Sequence, residues 1–541
     1  MKRISQLKRA RRGTMPAKAS LRGQALVLFM VLAGVLCLGA LLIFNTGQTV
    51  NKKVRLTHAA DAAAYSVAVQ EAKVLNFAAY LNRAQVANEV TIAQLVSIWS
   101  WMNMVHTHTL EGYNLFTYLA GIAAGSVILS PAAPVLEAIA NGYKAAEGVV
   151  AVIRTGYHEA VTLGGAIPGM EGGLIAALSK LNGVYAVASG ALLKAVGSID
   201  GYTIATEVAE KNDPTAKFGP AAHLVLLNQL REASALTGVG KYFDDFSKDK
   251  NEAEGMDRFR NVVMASRDEF TADRGQNLNL WIAEIGTWGG TDMVDYDRWA
   301  GLDSMMIEIN LPWPFDDIDM PLGWGGAQAV EDASSTPDFF PGIQSAQGGG
   351  DGWYSAEHGK NYKPYGDVRG ISGELAARYP SVDAPFLWGA SNSLTNREDA
   401  YFGDYEGLHS YQDIKKEYAQ SPEGKDAGPS FTVYLYSERS AARTSEDIEH
   451  MGGSAGSELD LRGNMANDQV TAISTAQTYF NRPPKYGLFQ RMVPREWNGE
   501  PKTDDQLETG SLFSPYWQAK LVETPVATYA LVGAASAAGV P

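Results

Sequence analysis

The stretch at residues 452–456 has the residue types and spacing of a serine nucleophile motif. It reads G-x-S-x-G, with Ser454 in the central position. Such a serine acts when it sits on a tight turn between a buried strand and a helix. Here the charged, helix-like segment SEDIEHM stands before it, and glycine is abundant around it. The sequence therefore favours a loop, and a membrane-anchored hydrolase using Ser454 stays an unfavoured alternative.

Two acidic groups resemble cation sites but lack parts of them. Residues 332–336 (DASST) resemble the D-x-S-x-S/T metal loop of von Willebrand-type adhesion domains, which follows a hydrophobic strand; here a Gly-Trp-Gly-Gly run and a polar, helix-like stretch precede it. Asp316, Asp317 and Asp319 offer the oxygen ligands that Ca²⁺ prefers. The glycine and terminal glutamate of a known calcium loop are missing, so an exposed acidic turn is favoured. We predict no metal ligand in either group.

The histidines and the lysine of the Gly-Lys pair lack the spacing of known zinc-binding and phosphate-binding motifs. His106 and His108 are two positions apart, which on a helix directs them to different faces. His158 is followed by Glu159 but lacks the second histidine of the H-E-x-x-H zinc motif. The pair at residues 359–360 (Gly-Lys) lacks the first glycine of a phosphate-binding loop. The sequence thus predicts no catalytic, cofactor-binding or metal-binding residue, and no enzyme.

Aromatic residues leave one binding function open. The chain has 11 Trp and 24 Tyr. A concave surface lined by Trp313, Trp324 and Trp353 would recognise sugars or envelope polymers. A membrane-anchored carbohydrate-binding or polymer-binding module is therefore the main alternative to a structural role.

Charge is divided sharply along the chain. Residues 1–60 contain 11 Lys/Arg and no Asp or Glu, whereas beyond residue 60 only 34 Lys/Arg face 60 acids, a net charge of −26. An acidic body repels phosphate backbones, which argues against nucleic acid as a partner. Cys37 is the only cysteine, so no disulfide forms within one chain.

A charge-free run from Ala25 to Phe44 predicts a membrane anchor. Twenty helical residues span about 30 Å, the thickness of a bilayer's hydrocarbon core. The run is longer than the core of a cleaved secretory signal. The basic residues before it place the N-terminus in the cytoplasm and the body outside. We predict a basic cytoplasmic leader at residues 1–22 and a transmembrane helix at residues 23–45 of the inner membrane.

The start of the chain resembles a known family. RGQA at residues 22–25 opens the apolar helix, and HAADAAA follows at residues 58–64. This arrangement is similar to the N-terminal module of TadE/TadG-type proteins of the Flp (tight-adherence) pilus machinery. The resemblance implies an inner-membrane protein with a periplasmic domain that works in pilus assembly. Gly23-Gln24 resembles a prepilin cleavage site, but Leu28 stands where pilins carry Glu, so we expect the leader to be retained.

The sequence predicts a mainly α fold. Its single N-terminal transmembrane helix continues into a helix-rich extracytoplasmic body with an irregular α+β C-terminal part. The body divides into an Ala-rich helical domain at residues 46–240 and a mixed, loop-rich region at residues 241–541. Residues 49–111 contain neither Gly nor Pro, which permits one long helix or a bent pair.

Within that body, several segments carry expectations of their own. Residues 115–136 are interpreted as buried helices rather than a second span. Residues 241–300 keep a helical pattern, and residues 471–480 are interpreted as an amphipathic helix before a proline turn. Met305 to Asn310 and Phe431 to Ser437 are predicted strands because β-branched and aromatic residues are frequent there.

The last hypothesis concerns the partners of the anchor. Residues 25–68 are rich in small residues, which allow another helix to approach closely. They are therefore expected to pack against other pilus-assembly proteins or a second copy, with Ala60 and Ala64 in the contact. Asp61 is interpreted as an exposed helix residue that adds little.

Overall fold

A computed structural model places one very long helix at the centre of the protein. Helix α1 runs without a break over Gln24–Gly125, about 150 Å at 1.5 Å per residue. The alternative of one continuous helix over residues 49–111 is therefore the correct one, and the bent pair is wrong. The structure describes residues 24–162, 172–195, 199–233, 242–247, 253–279, 283–309, 318–331, 401–415, 427–438, 441, 469–481 and 510–537.

Helix α2 (Ala133–Thr162) folds back along the distal part of α1. A turn and a short 3-10 helix, with Pro131 in its first turn, reverse the chain. The Tyr157 hydroxyl then donates to the Leu95 carbonyl at 2.8 Å. Gly112 allows the close approach, because a Cβ there would lie 2.3 Å from the Tyr143 ring.

The remaining described helices are shorter, and α3 and α4 pack against α1. They are α3 (Gly173–Ala195), α4 (Ile199–Asn212), α5 (Pro220–Ala233), α6 (Ala253–Ala265), α7 (Glu269–Ala272) and α8 (Val526–Ala537).

Small, mainly antiparallel sheets lie in the C-terminal part and complete the mainly helical fold. The strands are β1 (Phe243–Phe246), β2 (Gln276–Asn279), β3 (Ala283–Asp295), β4 (Arg298–Ile309), β5 (Ile318–Ala329), β6 (Tyr401–Phe402), β7 (Tyr411–Ile414), β8 (Ala427–Glu438), β9 (Gln469–Phe480) and β10 (Trp517–Val522). One sheet has the order β2-β3-β4-β5-β6, a second β10-β9-β8 and a third β1-β7, and among these described strands only β5 and β6 pair in parallel.

Strand predictions were partly right. Residues 305–309 of the first predicted strand lie in β4, residue 310 is outside the described residues, and the predicted strand at residues 431–437 lies in β8. The helical interpretation of residues 241–300 holds for α6 and α7 but is wrong for β1, β2, β3 and the start of β4, which are strands. It is also wrong for residues 471–480, which form β9, where Thr471, Ile473 and Thr475 are β-branched and suit a pleated strand.

The cores combine residues from distant parts of the sequence. One cluster joins residues 56–68 of α1 with Ala205 of α4, Phe431 of β8 and Ala476 of β9. Another joins Trp99 of α1 with Met256, Trp299 and Tyr405. The division at residues 240 and 241 stays a prediction, and residues on both sides of it share these cores.

Candidate membrane anchor and its junction with the body

The first quarter of α1 carries a bare apolar surface. Its most apolar 18-residue window has a mean hydropathy of 3.0, and none of that window is buried by the rest of the chain. Large apolar side chains point outward all round it, among them Leu28, Phe29 and Ile43. The length and composition are those of a helix that crosses a bilayer, in agreement with the predicted anchor.

Helix α3 is also long and apolar enough to span a membrane. It is the weaker candidate, because its mean hydropathy is 1.2 and it is partly buried. Asn88 of α1 donates to Asn182 of α3 at 2.8 Å, and Ser179 accepts from the Glu406 amide at 3.0 Å. These polar contacts are typical of a helix within the body.

Coverage of α1 by the body begins with an ion pair. Lys52 is buried, and its Nζ lies 2.9 and 2.7 Å from the two carboxylate oxygens of Asp213, at the end of α4. The Thr215 amide and hydroxyl also donate to Asp213. Burial by itself would raise the pKa of Asp213, but the hydrogen bonds from Lys52 and Thr215 and the lysine charge hold it below its ordinary value. This cluster marks the boundary between the bare and the covered parts of α1.

Above the ion pair, the alanine face of α1 is buried against the protein's own sheet. Ala60, Ala63, Ala64 and Ala68 have no exposed surface. They pack with Phe431, Val433 and Leu435 of β8 and with residues of β9 and α4. The expectation that Ala60 and Ala64 receive a helix of another molecule is therefore wrong, since their small side chains admit a sheet of the same chain. Asp61 is half-buried rather than exposed.

The C-terminal strand is attached to α1 by a paired amide. Asn76 Nδ2 donates to the Trp517 carbonyl, and the Trp517 amide donates to Asn76 Oδ1, both at 2.9 Å. Trp517 is buried beside Leu75 and Phe480. One side chain thus satisfies the backbone at the start of β10 and fixes its position along the helix.

A buried carboxylate organises the middle of α1. Glu89 accepts hydrogen bonds from Trp299 Nε1 at 3.0 Å, the Tyr405 hydroxyl at 2.7 Å and Asn182 Nδ2 at 2.9 Å. Burial raises the pKa of Glu89 to about 7, against the opposing effect of these three donors. The donors come from β4, from the segment after β6 and from α3. The Glu89 carboxylate therefore joins three distant parts of the chain to α1.

The distal part of α1 lies in a groove of the five-stranded sheet. Ser97 donates to Thr291 at 2.7 Å, and Asn103 donates to the Gly326 carbonyl at 2.9 Å. The fit requires glycine, because a Cβ at Gly325 would lie 2.2 Å from both the Met104 nitrogen and the Ser100 oxygen. The Gly-rich run at residues 323–326, which precedes the rejected metal loop in sequence, is thus part of β5 and seats the helix.

Buried charged groups lie on the face of the sheet that meets α1. Arg274 makes a two-point contact with Asp303, at 2.6 and 3.0 Å, and Ser100 of α1 donates to the same carboxylate. Both charged side chains are buried. A two-point arginine–carboxylate pair of this kind fixes geometry strongly, so the groove is held in shape beneath α1.

The histidines considered from sequence are used in packing. His106 faces Glu147 of α2 at 3.5 Å, while His108 lies near the Leu322 carbonyl and against the Tyr143 ring. His158 packs against Trp99 with the two rings tilted and their centroids 4.9 Å apart. In the described ranges, no three His, Cys, Asp or Glu side chains come together as metal ligands do.

Several sequence candidates lie outside the described residues. These are Ser454, the loop at residues 332–336, Asp316, Asp317, Trp313, Trp353 and the Gly-Lys pair at 359–360. Asp319 and Trp324 lie in β5. The hydrolase and polymer-binding alternatives therefore stay predictions.

The segment at residues 115–136 contradicts the expectation of buried helices. It forms the end of α1, the turn and the beginning of α2. Val127 is 96% exposed and Ile128 is 87% exposed. It does not form a spanning helix, because a turn and the 3-10 helix interrupt it.

One protein-family model matches the segment that contains the bare apolar helix and its junction with the body. The Tad family model, described as Flp pilus-assembly TadE/G-like, matches residues 23–70. The match covers the bare part of α1, the Lys52 junction and the alanine face. Comparisons with curated proteins and with solved structures found no match.

Proposed function

We propose that this protein, whose residues 23–70 form a TadE/G-like module, is a membrane-anchored structural component of Flp (Tad-type) pilus assembly or surface attachment. The observation that carries the proposal is the coincidence of the family match with the structural anchor. The matched residues comprise an exposed apolar helix and the face on which the body is built. An element of this design holds a large body at a fixed place on a membrane.

The charge distribution supports an orientation. Eight basic residues precede the apolar run and three follow it closely, at Lys52, Lys53 and Arg55. By the positive-inside rule, we propose a single-pass inner-membrane protein with a cytoplasmic N-terminus and a periplasmic body. A reporter that is active only in the periplasm should be active when fused after Pro541. Activity of a cytoplasmic reporter at that position would refute this orientation.

The proposed partners are other pilus-assembly proteins. Within residues 25–68, the side chains that the body leaves exposed are concentrated before Lys52, and those exposed beyond it are Lys53, Val54, Arg55, His58 and Tyr65. Contacts with other membrane helices should therefore involve the bare part of α1 rather than Ala60 and Ala64. The acidic charge of the body continues to argue against nucleic acid.

A complementation experiment tests the function. A strain lacking this chain should fail to assemble Flp pili, and the full chain should restore them. The matched variant is residues 46–541 exported with a cleavable signal, which should fold and accumulate but not restore pili because the anchor is missing. Normal pili in the strain lacking the chain, or full restoration by the unanchored body, would overturn the proposal.

A further inference from the structure

The free end of the α1–α2 hairpin is apolar, uncharged and exposed. Residues 121–136, called the tip here, comprise the end of α1, the turn with its 3-10 helix and the start of α2. Val127, Ile128 and Leu129 are consecutive and all exposed, so their side chains point in different directions rather than forming one face. No charged residue occurs in residues 112–136.

The backbone of the turn is satisfied by groups of the turn itself. The Ser126 amide donates to the Ala123 carbonyl at 3.1 Å. The amides of Leu129 and Ser130 donate to the hydroxyl and the carbonyl of Ser126, at 3.3 and 3.0 Å. Pro131 follows and has no N–H group. Serine side chains and 3-10 turns satisfy the backbone in the same way where a helix breaks at membrane depth.

These two properties favour lipid over protein as the partner of the tip. A protein interface carries about one hydrogen bond for each 100–200 Å² of contact. Here the polar groups of the turn named above are already bonded to each other, and the exposed large side chains offer apolar surface in several directions. An element with these properties gains from entering the apolar edge of a bilayer, where it has no hydrogen bond to make.

Charge limits how deeply the tip can enter. Glu137 is the first charged residue after the turn, and it is exposed about 6 Å along α2 from Ala133. Tyr118 is exposed about 10 Å before the end of α1 at Gly125. A depth of about 5–10 Å is usual for interfacial elements. It leaves the acid and the tyrosine ring at the level of the headgroups, where tyrosine is enriched.

The length of α1 determines which bilayer this is. Because α1 is unbroken between the anchor and the tip, Phe44 and Gly125 lie about 120 Å apart. Even at a tilt of about 40°, the upper end of the range for membrane helices, the tip stays about 90 Å from the bilayer of the anchor. We infer that the tip inserts into a second bilayer that faces the first, so that the chain connects two membranes. This rests on the anchoring proposed above, and in the orientation proposed there the second bilayer is the outer membrane.

A fluorescent label at the tip tests the contact with lipid. The full chain with Cys37→Ser has no cysteine, and it is held in a lipid nanodisc so that the anchor is covered. Ile128→Cys then places a polarity-sensitive label in the tip, and Val152→Cys places it at an exposed position of α2 outside the tip.

Vesicles of phosphatidylcholine and phosphatidylethanolamine are then added. These lipids carry no net charge, so the acidic body does not repel the vesicles. The label at residue 128 should shift its emission to the blue and be quenched when the vesicles contain brominated lipid. The label at residue 152 should do neither.

A second pair of variants asks whether the apolar surface of the tip drives binding. Val127→Glu with Leu129→Glu should weaken vesicle binding about hundredfold in a flotation assay, since each lost apolar side chain costs about tenfold. The matched control, Val184→Glu with Val187→Glu, adds the same two charges to exposed positions of α3 and should change binding by less than about twofold. All four positions are exposed, so both variants should fold.

Several outcomes would overturn the inference. Equal responses of the labels at residues 128 and 152 would do so, as would equal vesicle binding by the tip variant and its control. A photo-cross-linker at residue 128 that captures a protein rather than lipid in cells would show that a protein partner covers the tip instead. A full chain that enters nanodiscs but does not bind vesicles refutes the tip contact alone, whereas a chain that fails to enter nanodiscs refutes the anchor.

Discussion

The close contact between α1 and β5 predicts that replacing Gly325 with a larger residue destabilises the protein. In an exposed strand, replacing Gly with Ala is usually neutral or favourable, because Gly weakens a strand interior. Here the new Cβ would lie 2.2 Å from the Met104 nitrogen and from the Ser100 oxygen. Ordinary contacts between non-bonded heavy atoms are about 3.5–4.0 Å. The helix and the strand would have to separate by more than about 1 Å.

The cost follows from what holds the two elements together. Backbone atoms of a helix have no rotamer with which to move away, and the hydrogen bond from Asn103 to Gly326 is adjacent. Overpacking in a core costs about 1–3 kcal/mol, occasionally more. Loss of a buried hydrogen bond adds about 1 kcal/mol. We therefore expect Gly325→Ala to lower the free energy of unfolding by about 3 kcal/mol.

A control glycine should show the opposite change in stability when it is replaced by alanine. Gly148 lies within α2, and a Cβ there would meet nothing within 4 Å. Gly148→Ala should raise stability by about 0.5–1 kcal/mol, the usual gain within a helix. Both variants are compared with the parent as the full chain in detergent, by urea unfolding followed by circular dichroism. If Gly325→Ala unfolds at the same urea concentration as the parent, α1 does not lie on β5 as described.

Three further predictions concern α1. Asp213→Asn should destabilise the junction by about 3–5 kcal/mol by leaving Lys52 buried without its counter-charge, whereas Lys52→Met with Asp213→Leu should recover most of that loss in the same unfolding assay. Asn76→Ala should cost about 1–3 kcal/mol and increase hydrogen exchange at the Trp517 amide; unchanged exchange there would contradict the paired amide. Burial raises the pKa of Glu71 to about 8, so the folded state holds its proton more tightly than the unfolded state and stability falls as pH rises from about 4.5 to 8. Glu71→Gln should therefore exceed the parent in unfolding free energy by a few kcal/mol at pH 8 and by little at pH 5, and an equal gain at both would contradict this.

The anchor was predictable, and a long helix over residues 49–111 was one of two predicted alternatives, because their signals are local. Twenty charge-free residues predict a membrane-spanning helix, and a long stretch without Gly or Pro permits a long helix, in the same residues that carry the pattern. The alanine face showed the same kind of local signal, namely that something packs there closely. It did not show what packs there, because the partners are distant in the sequence. Lys53, which lies just before this face on α1, donates a hydrogen bond to the Thr471 carbonyl of β9, 418 residues further along the chain. A local pattern holds no information about so distant a partner.

The sheet that seats α1 was hidden for a different reason. Glycines at residues 323, 325 and 326 are typical of loops when the segment is considered alone. In β5 they are required by the close approach of a helix. In the same way, β9 contains several Thr and Ser and few large apolar residues, and its half-buried pattern becomes clear only when α1 lies beneath it. Tertiary contacts thus decided both assignments.

The buried carboxylates of α1 then have a physical reason beyond packing. Residues 90–110 are as long as a membrane span and carry no charge, and Glu89 and Glu111 stand directly at their two ends. Burial raises the pKa of each carboxyl group to about 7. The raised pKa reflects the free-energy cost of burying the charged form of each side chain. An acid within an apolar helix also opposes insertion into a bilayer. Because the chain is made from its N-terminus, residues 90–110 emerge long before β4, β5 and β8 to β10 exist to cover the helix. Acids at these positions disfavour insertion of residues 90–110 into a bilayer before the sheets cover them, and in the folded protein Trp299, Tyr405 and Asn182 satisfy Glu89 with hydrogen bonds.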